Sequence, residues 1–109
     1  MVYSKTMTRE FTIASLKKHS DLFQTAYIFG SVARGESDEY SDADIVFIRD
    51  TTRDFFHRVI DIIDIILDLE NVDTLIYTAA EFEKLRQTSG FIQLVIEEGI
   101  RIEGEQPRS

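Results

Sequence analysis

The sequence contains no cysteine and no tryptophan, and it has only one proline. Without cysteine the chain can form neither a disulfide nor a thiolate metal site, which agrees with a reducing compartment. Basic residues are also scarce, because 12 Lys and Arg stand against 20 Asp and Glu and give a formal net charge of −8. Binding to a nucleic-acid backbone requires a basic surface, so this balance argues against nucleic acid as a partner. A nucleotide ligand remains compatible, because bound Mg²⁺ reverses the local charge.

The sequence also lacks a long uninterrupted apolar run. Its longest apolar region, Val59–Leu69, is broken by Asp61, Asp64 and Asp68, so it does not suit a membrane span. The segment Met1–Lys5 has no apolar core of the kind found in signal peptides. These features predict a cytoplasmic protein without a membrane partner.

Length and residue pattern predict one domain over residues 1–109, with a core at about 8–102 and a frayed tail over 103–109. The predicted helices are Thr8–His19, Thr52–Glu70, Thr78–Thr88 and Phe91–Glu98, and the predicted strands are Ala26–Phe29, Asp42–Ile48, Val72–Tyr77 and Ile100–Ile102. Ser31 is expected to cap a short helical turn that leads to Gly35, and Gly99 is expected to follow the last helix as its C′ residue. Residues 36–41 are predicted to form an acidic loop. This order of elements predicts an α/β layer domain.

The residues that carry chemistry are a Gly30-Ser31 pair, then ten residues, then Asp42-Ala43-Asp44. Asp42 and Asp44 are two residues apart on a predicted strand, so both side chains point to one face. Such a carboxylate pair suits Mg²⁺, which takes oxygen ligands and completes its shell with water and substrate phosphate. Two ions about 3.5–4 Å apart stabilise an in-line displacement at phosphorus.

A third carboxylate, Asp73, lies near the start of the next predicted strand. If that strand pairs beside the second one, at the usual spacing of about 4.8 Å, Asp73 can face Asp42 and Asp44. It would then hold a metal ion and help to deprotonate an attacking hydroxyl. Gly30 allows the backbone to approach a phosphate closely, and Ser31 adds a hydroxyl beside backbone N–H groups. Arg34 is placed to contact either phosphate or the acidic loop.

Gly-Ser-Val-Ala-Arg-Gly at 30–35, followed by Ser-Asp-Ala-Asp at 41–44, resembles the minimal nucleotidyltransferases of the DNA polymerase β-type superfamily. The resemblance implies a nucleotidyltransferase fold, a small mixed β-sheet with flanking helices. It implies two Mg²⁺ ions held by Asp42, Asp44 and Asp73, and a nucleoside triphosphate, expected to be ATP, held by Gly30, Ser31 and Arg34. It also implies transfer of a nucleoside monophosphate to a hydroxyl.

Many minimal members of that superfamily resemble antitoxins encoded beside a HEPN-domain RNase toxin, on which they adenylylate a tyrosine. The resemblance therefore implies a HEPN-type protein as partner and acceptor. Two alternatives stay open: neutralisation of the partner by contact with weak catalysis, and transfer to a small molecule. The predicted helix Thr52–Glu70 is apolar around most of its circumference, which favours a homodimer or a hetero-complex.

Overall fold

The computed structural model describes residues 8–37 and 42–106, and within them it contains six α-helices and four strands. The strands are β1 (Thr25–Phe29), β2 (Ala43–Ile48), β3 (Val72–Tyr77) and β4 (Ile100–Glu103). The helices are α1 (Arg9–Lys18), α2 (Gly30–Arg34), α3 (Phe55–Asp61), α4 (Ile63–Leu69), α5 (Ala79–Thr88) and α6 (Gly90–Glu98). A 3₁₀ turn, Ser20–Leu22, connects α1 to β1.

The four strands form one sheet in the order β3-β2-β1-β4. β1 is antiparallel to both β2 and β4, whereas β2 and β3 run parallel. The sheet is therefore mixed, with helices on its faces, and the predicted fold class is confirmed. The parallel pair is possible because α3 and α4 form the long crossover that returns the chain to the same end of the sheet.

The two faces of the sheet are covered by different helices. One face packs against α1 and α4 in a buried cluster that includes Leu16, Ala26, Ile28, Ile45, Phe47, Ile62, Ile65, Leu69 and Ile76. The other face packs against α5 and α6 in a smaller cluster of Tyr27, Val46, Ile48, Phe82, Ile92 and Val95. Because strand side chains alternate between faces, this division decides which polar residues emerge beside α5 and α6.

Two predicted helix starts are confirmed by their capping bonds. Thr8 caps α1 by accepting a hydrogen bond from the Phe11 N–H at 3.0 Å. Thr78 and Glu81 form the predicted capping box at the start of α5, with bonds of 3.1 and 2.8 Å. The third strand also has its predicted bounds, Val72–Tyr77.

The prediction of one long helix over Thr52–Glu70 is wrong. Helix α3 begins only after Asp54, whose side chain accepts a hydrogen bond from the His57 N–H. The chain then leaves helical geometry at the fully buried Ile62, with φ −111° and ψ 22°, before α4 begins. The β-branched residues around this point have a low helix propensity, so local preference holds the helix together only weakly here. Burial of the Ile62 side chain in the core can therefore set a non-helical conformation.

Three smaller predictions also need correction. The N-cap of α2 is Phe29 and makes no side-chain capping bond, so Ser31 lies inside the helix rather than capping it. Gly99 does end α6, but at φ −76°, not in the left-handed conformation of a C′ glycine. Residues 104–106 are not frayed, because the Gly104 N–H donates to Gln24 and the Gln106 N–H to Phe23.

Most of the predicted acidic loop, residues 38–41, lies outside the described residues, as do residues 107–109 of the predicted tail. No helix in the described part of the chain is long and apolar enough to cross a membrane.

Candidate active site

Two of the three predicted carboxylates lie side by side on the parallel strands. Asp44 of β2 is the direct register partner of Asp73 of β3. Paired residues on neighbouring strands point to the same face, and the strands lie about 4.8 Å apart. The pair emerges on the face that α5 and α6 cover, one step beyond the buried Val46. The expectation that Asp73 faces Asp44 is therefore confirmed in position.

Gly30 brings the backbone directly against this carboxylate. It stands at the start of α2 with φ +75°, a conformation that side-chain-bearing residues rarely adopt. A Cβ added there would collide with the Asp44 Oδ2 atom. Helix α2 then ends at Gly35, which has φ +73°. The short helix is thus held against the strand that carries Asp44, with its first N–H groups free of intrahelical partners.

The charges at this site act on one another. Burial raises the pKa of Asp44 above its ordinary value, and the negative charges of Asp73 and Asp42 raise it further. The positive charge of Arg34 opposes this effect and lowers the pKa of Asp44. Asp42 is exposed and immediately precedes β2, and its negative charge lies close enough to raise the pKa of Asp44. The carboxylates of Asp42 and Asp73 thus disfavour ionisation of Asp44. A divalent cation bound among the three would offset this repulsion.

The donor set fits Mg²⁺, because it consists of hard carboxylate oxygens with room for water or phosphate. Asp42, Asp44 and Asp73 are the residues that would hold it. Among residues 8–37 and 42–106, however, no three acidic, histidine or cysteine side chains already converge as a metal cage.

The predicted nucleotide-binding residues lie on α2. Ser31 is half-buried on the first turn, and Arg34 is exposed on the last. The Arg34 guanidinium donates to the Glu36 carboxylate at 3.0 Å, so the predicted contact with the acidic segment is present. It still lies near enough to lower the pKa of Asp44, so both predicted roles of Arg34 are compatible with its position.

Phe29 and the residues that face it from α6 are not among the predicted site residues. Phe29 of β1 is the register partner of Asp44 and lies on the same face of the sheet. Its ring meets that of Phe91 edge to face, with centroids 5.4 Å apart. The only signal in the sequence is an aromatic residue directly before Gly30-Ser31, and the contribution of α6 has no local signal at all.

A family model described as "Polymerase beta, Nucleotidyltransferase" matches residues 11–107. Among solved structures, a candidate nucleotidyltransferase from Sulfolobus solfataricus is similar at 28% sequence identity. That likeness covers 69% of this chain and 77% of the Sulfolobus chain, with a TM-score of 0.47. No curated protein matches the chain significantly.

Proposed function

Because the chain belongs to the polymerase beta nucleotidyltransferase family, we propose that it transfers a nucleoside monophosphate from a Mg²⁺-bound nucleoside triphosphate to a hydroxyl. The observation that carries this proposal is the pairing of Asp44 with Asp73 beside the backbone of Gly30. The pairing brings two carboxylates and a close backbone approach to one end of the sheet. In-line transfer at phosphorus requires these elements together.

In the proposed reaction the acceptor oxygen bonds to the α-phosphorus, and the bond from that phosphorus to the β-bridging oxygen breaks. Pyrophosphate leaves with the electron pair. Asp73 accepts the proton of the attacking hydroxyl, and Asp42 and Asp44 would hold the cation, whose charge would offset that of the reacting phosphate. The N–H groups at the start of α2 and the Ser31 hydroxyl donate to the departing phosphates. Bound Mg²⁺ would supply charge neutralisation and acidify the hydroxyl.

The proposed nucleotide is ATP, and the proposed acceptor is a tyrosine of a HEPN-type RNase toxin, which the chain would inactivate as its antitoxin. The support for this acceptor is the motif at 30–35 and 41–44, which resembles the minimal nucleotidyltransferases. A tyrosine hydroxyl must lose its proton to attack phosphorus, and Asp73 would be the base that accepts it. Asp73 is exposed on the edge strand β3, where the side chain of an acceptor protein can approach.

A second candidate is neutralisation of the partner by contact. The observation that favours it is a set of large apolar side chains left exposed on α3 and α4. Phe56 is 70% exposed and Leu67 is 67% exposed. A protein of this size seldom leaves such side chains uncovered together unless a partner covers them. Contact and catalysis can act in the same complex.

The test is transfer of labelled AMP from ATP and Mg²⁺ to the HEPN-type protein, with small hydroxyl compounds as a separate arm. Asp73→Asn should lower the single-turnover rate by at least a hundredfold while triphosphate affinity stays within tenfold, about 1.4 kcal/mol. Asp21→Asn, which removes an exposed carboxylate on the 3₁₀ turn Ser20–Leu22, is the matched control and should transfer normally.

Normal transfer by Asp73→Asn would remove that residue from the reaction. Neutralisation of the toxin by a wild-type protein that transfers no label would favour the contact mechanism instead. Label found only on a small hydroxyl compound would move the acceptor away from protein.

A further inference from the structure

A cavity of about 120 Å³ lies between α2 and α6, beside the proposed active site. Phe29 of β1 and Gly30 at the start of α2 line it. Ala33 and Arg34 line it from α2, while Phe91, Leu94 and Glu98 line it from α6. We call this cavity the α2–α6 slot.

The slot continues directly from the carboxylate that would hold the reacting phosphate. Phe29 is the register partner of Asp44, so the two side chains stand opposite each other on one face of the sheet. Opposite side chains in an antiparallel pair have Cβ atoms about 4.5–5.5 Å apart. Gly30 connects the slot to Asp44, because it lines the slot and a Cβ added to it would collide with the Asp44 carboxylate. A molecule anchored at Asp44 can therefore extend into the slot.

The sheet order also decides which substrate enters there. Asp44 lies on β2, with Asp73 on one side in β3 and Phe29 on the other side in β1. In the proposed reaction the acceptor hydroxyl approaches Asp73. The slot lies on the opposite side of Asp44, so it belongs to the donor nucleotide rather than to the acceptor.

The walls of the slot suit a flat aromatic ring with a polar edge. Phe91 and Leu94 are 47% and 50% exposed although both are large and apolar, so covering them is favourable. Arg34, whose guanidinium is held by Glu36 at 3.0 Å, offers a cationic plane on which bases stack. The exposed carboxylate of Glu98 can only accept hydrogen bonds when ionised, which selects a base that carries an amino group.

We propose that the α2–α6 slot binds the nucleobase of the donor triphosphate, between Arg34 on α2 and the apolar side of α6, with the amino edge of the base toward Glu98. This inference rests on the proposed function and adds the part of the substrate that the slot recognises. It makes the site selective for bases with an exocyclic amine, such as adenine, over bases without one.

The test is calorimetry in Mg²⁺ with three probes: a non-hydrolysable ATP analogue, inosine triphosphate and inorganic tripolyphosphate. Phe91→Ala should weaken the ATP analogue by roughly tenfold or more, the scale of one lost base-stacking contact. It should leave tripolyphosphate affinity unchanged. Glu98→Lys should lower the ratio of ATP-analogue to inosine triphosphate affinity, because a cationic donor matches the carbonyl oxygen of inosine. Glu97→Ala, an exposed residue of α6 outside the slot lining, is the control and should match the wild type.

Unchanged affinity of Phe91→Ala for the ATP analogue, with tripolyphosphate still bound, would overturn the slot and leave the triphosphate site standing. Loss of partner capture by Phe91→Ala without any change in nucleotide affinity would also overturn it, because the slot would then receive a side chain of the partner. A wild-type protein that binds none of the three probes would overturn the proposed function and the slot together.

Discussion

At the scale of single residues, the site is dominated by the contact between Gly30 and Asp44. The backbone conformation of Gly30 and the strand position of Asp44 come from separate parts of the sequence, but the two residues are in contact in the fold. Gly30 needs φ +75° to enter α2, and its missing Cβ is the space that the Asp44 carboxylate occupies. One residue thus meets a backbone requirement and a steric requirement at the same point.

Gly30→Ala should therefore destabilise the protein and remove triphosphate binding. The left-handed backbone alone costs an alanine about 1–2 kcal/mol, and the added Cβ would displace the Asp44 carboxylate. Gly90→Ala is the matched control, because a Cβ at Gly90 meets nothing within 4 Å. Urea denaturation and calorimetry with Mg²⁺-triphosphate measure the two effects. Equal behaviour of both variants would contradict the steric role of Gly30.

Asp44→Asn should abolish transfer yet leave the metal-free protein at least as stable as the wild type at pH 7. Burial and the Asp73 and Asp42 charges raise the pKa of Asp44 from its ordinary value of 3.8. Because the pKa of this carboxyl group is raised in the folded protein, ionisation lowers the free energy of unfolding. This loss is absent below pH 3.8 and is complete once the pH exceeds the folded-state pKa.

The stability advantage of Asp44→Asn should accordingly shrink as pH falls toward 3.8, the ordinary value for the carboxyl group. Thermal unfolding without metal between pH 3.5 and 7 measures it. An Asn variant that is less stable than the wild type at pH 7 would show that the ionised carboxylate makes favourable contacts in the folded protein.

At the scale of elements, α5 begins with a reciprocal capping box. The Thr78 hydroxyl accepts from the Glu81 N–H at 3.1 Å, and the Glu81 carboxylate accepts from the Thr78 N–H at 2.8 Å. Glu81 is also held by Arg58 of α3, and this contact lowers the pKa of Glu81. The cap thus ties the start of α5 to the helix on the other side of β3.

Thr78→Ala should lower the free energy of unfolding by about 1 kcal/mol, the usual cost of losing a side-chain N-cap. Thr88→Ala provides a control within the same helix, because the Thr88 hydroxyl only donates to the Lys84 carbonyl near the C-terminal end. Urea denaturation of both variants tests this. A loss at Thr88 as large as that at Thr78 would mean that the helix end, not its cap, governs stability.

At the scale of the whole molecule, the largest unexplained feature is the apolar surface of the crossover helices. The exposed side chains there are Phe55, Phe56, Ile60, Ile63 and Leu67. From Phe56 onward they follow one another at spacings of three or four residues, which places Phe56, Ile60, Ile63 and Leu67 along one side of α3 and α4 in spite of the break at Ile62. We expect this surface to contact another protein chain, either a copy or the proposed partner.

Leu67→Ser combined with Phe56→Ser should weaken that association at least tenfold without changing nucleotide affinity. Both residues are exposed, and their helices pack against the face of the sheet opposite to the one that carries Asp44. Sedimentation velocity of the chain alone and with the proposed HEPN-type partner measures the effect. Lys84→Ser on α5 serves as a control for an exposed residue elsewhere. Unaltered association of the double variant in both mixtures would exclude this surface.

The sequence by itself determined the features that local chemistry controls. Alternation and apolar runs predicted the strands, the caps predicted the starts of α1 and α5, and the Gly30-Ser31 and Asp42-Ala43-Asp44 motifs indicated which strand ends carry the proposed site. These features depend on residues that are close to one another in the sequence, so they can be predicted from the sequence alone.

Only the tertiary structure decided what depends on distant neighbours. The parallel register sets Asp73 beside Asp44, and the antiparallel register sets Phe29 on its other side. Packing of Ile62 in the core divided the predicted long helix, and the docking of α6 against β1 created the slot that Phe91 lines. Strand pairing and helix docking follow from burial of apolar surface across the whole chain, which no local pattern specifies.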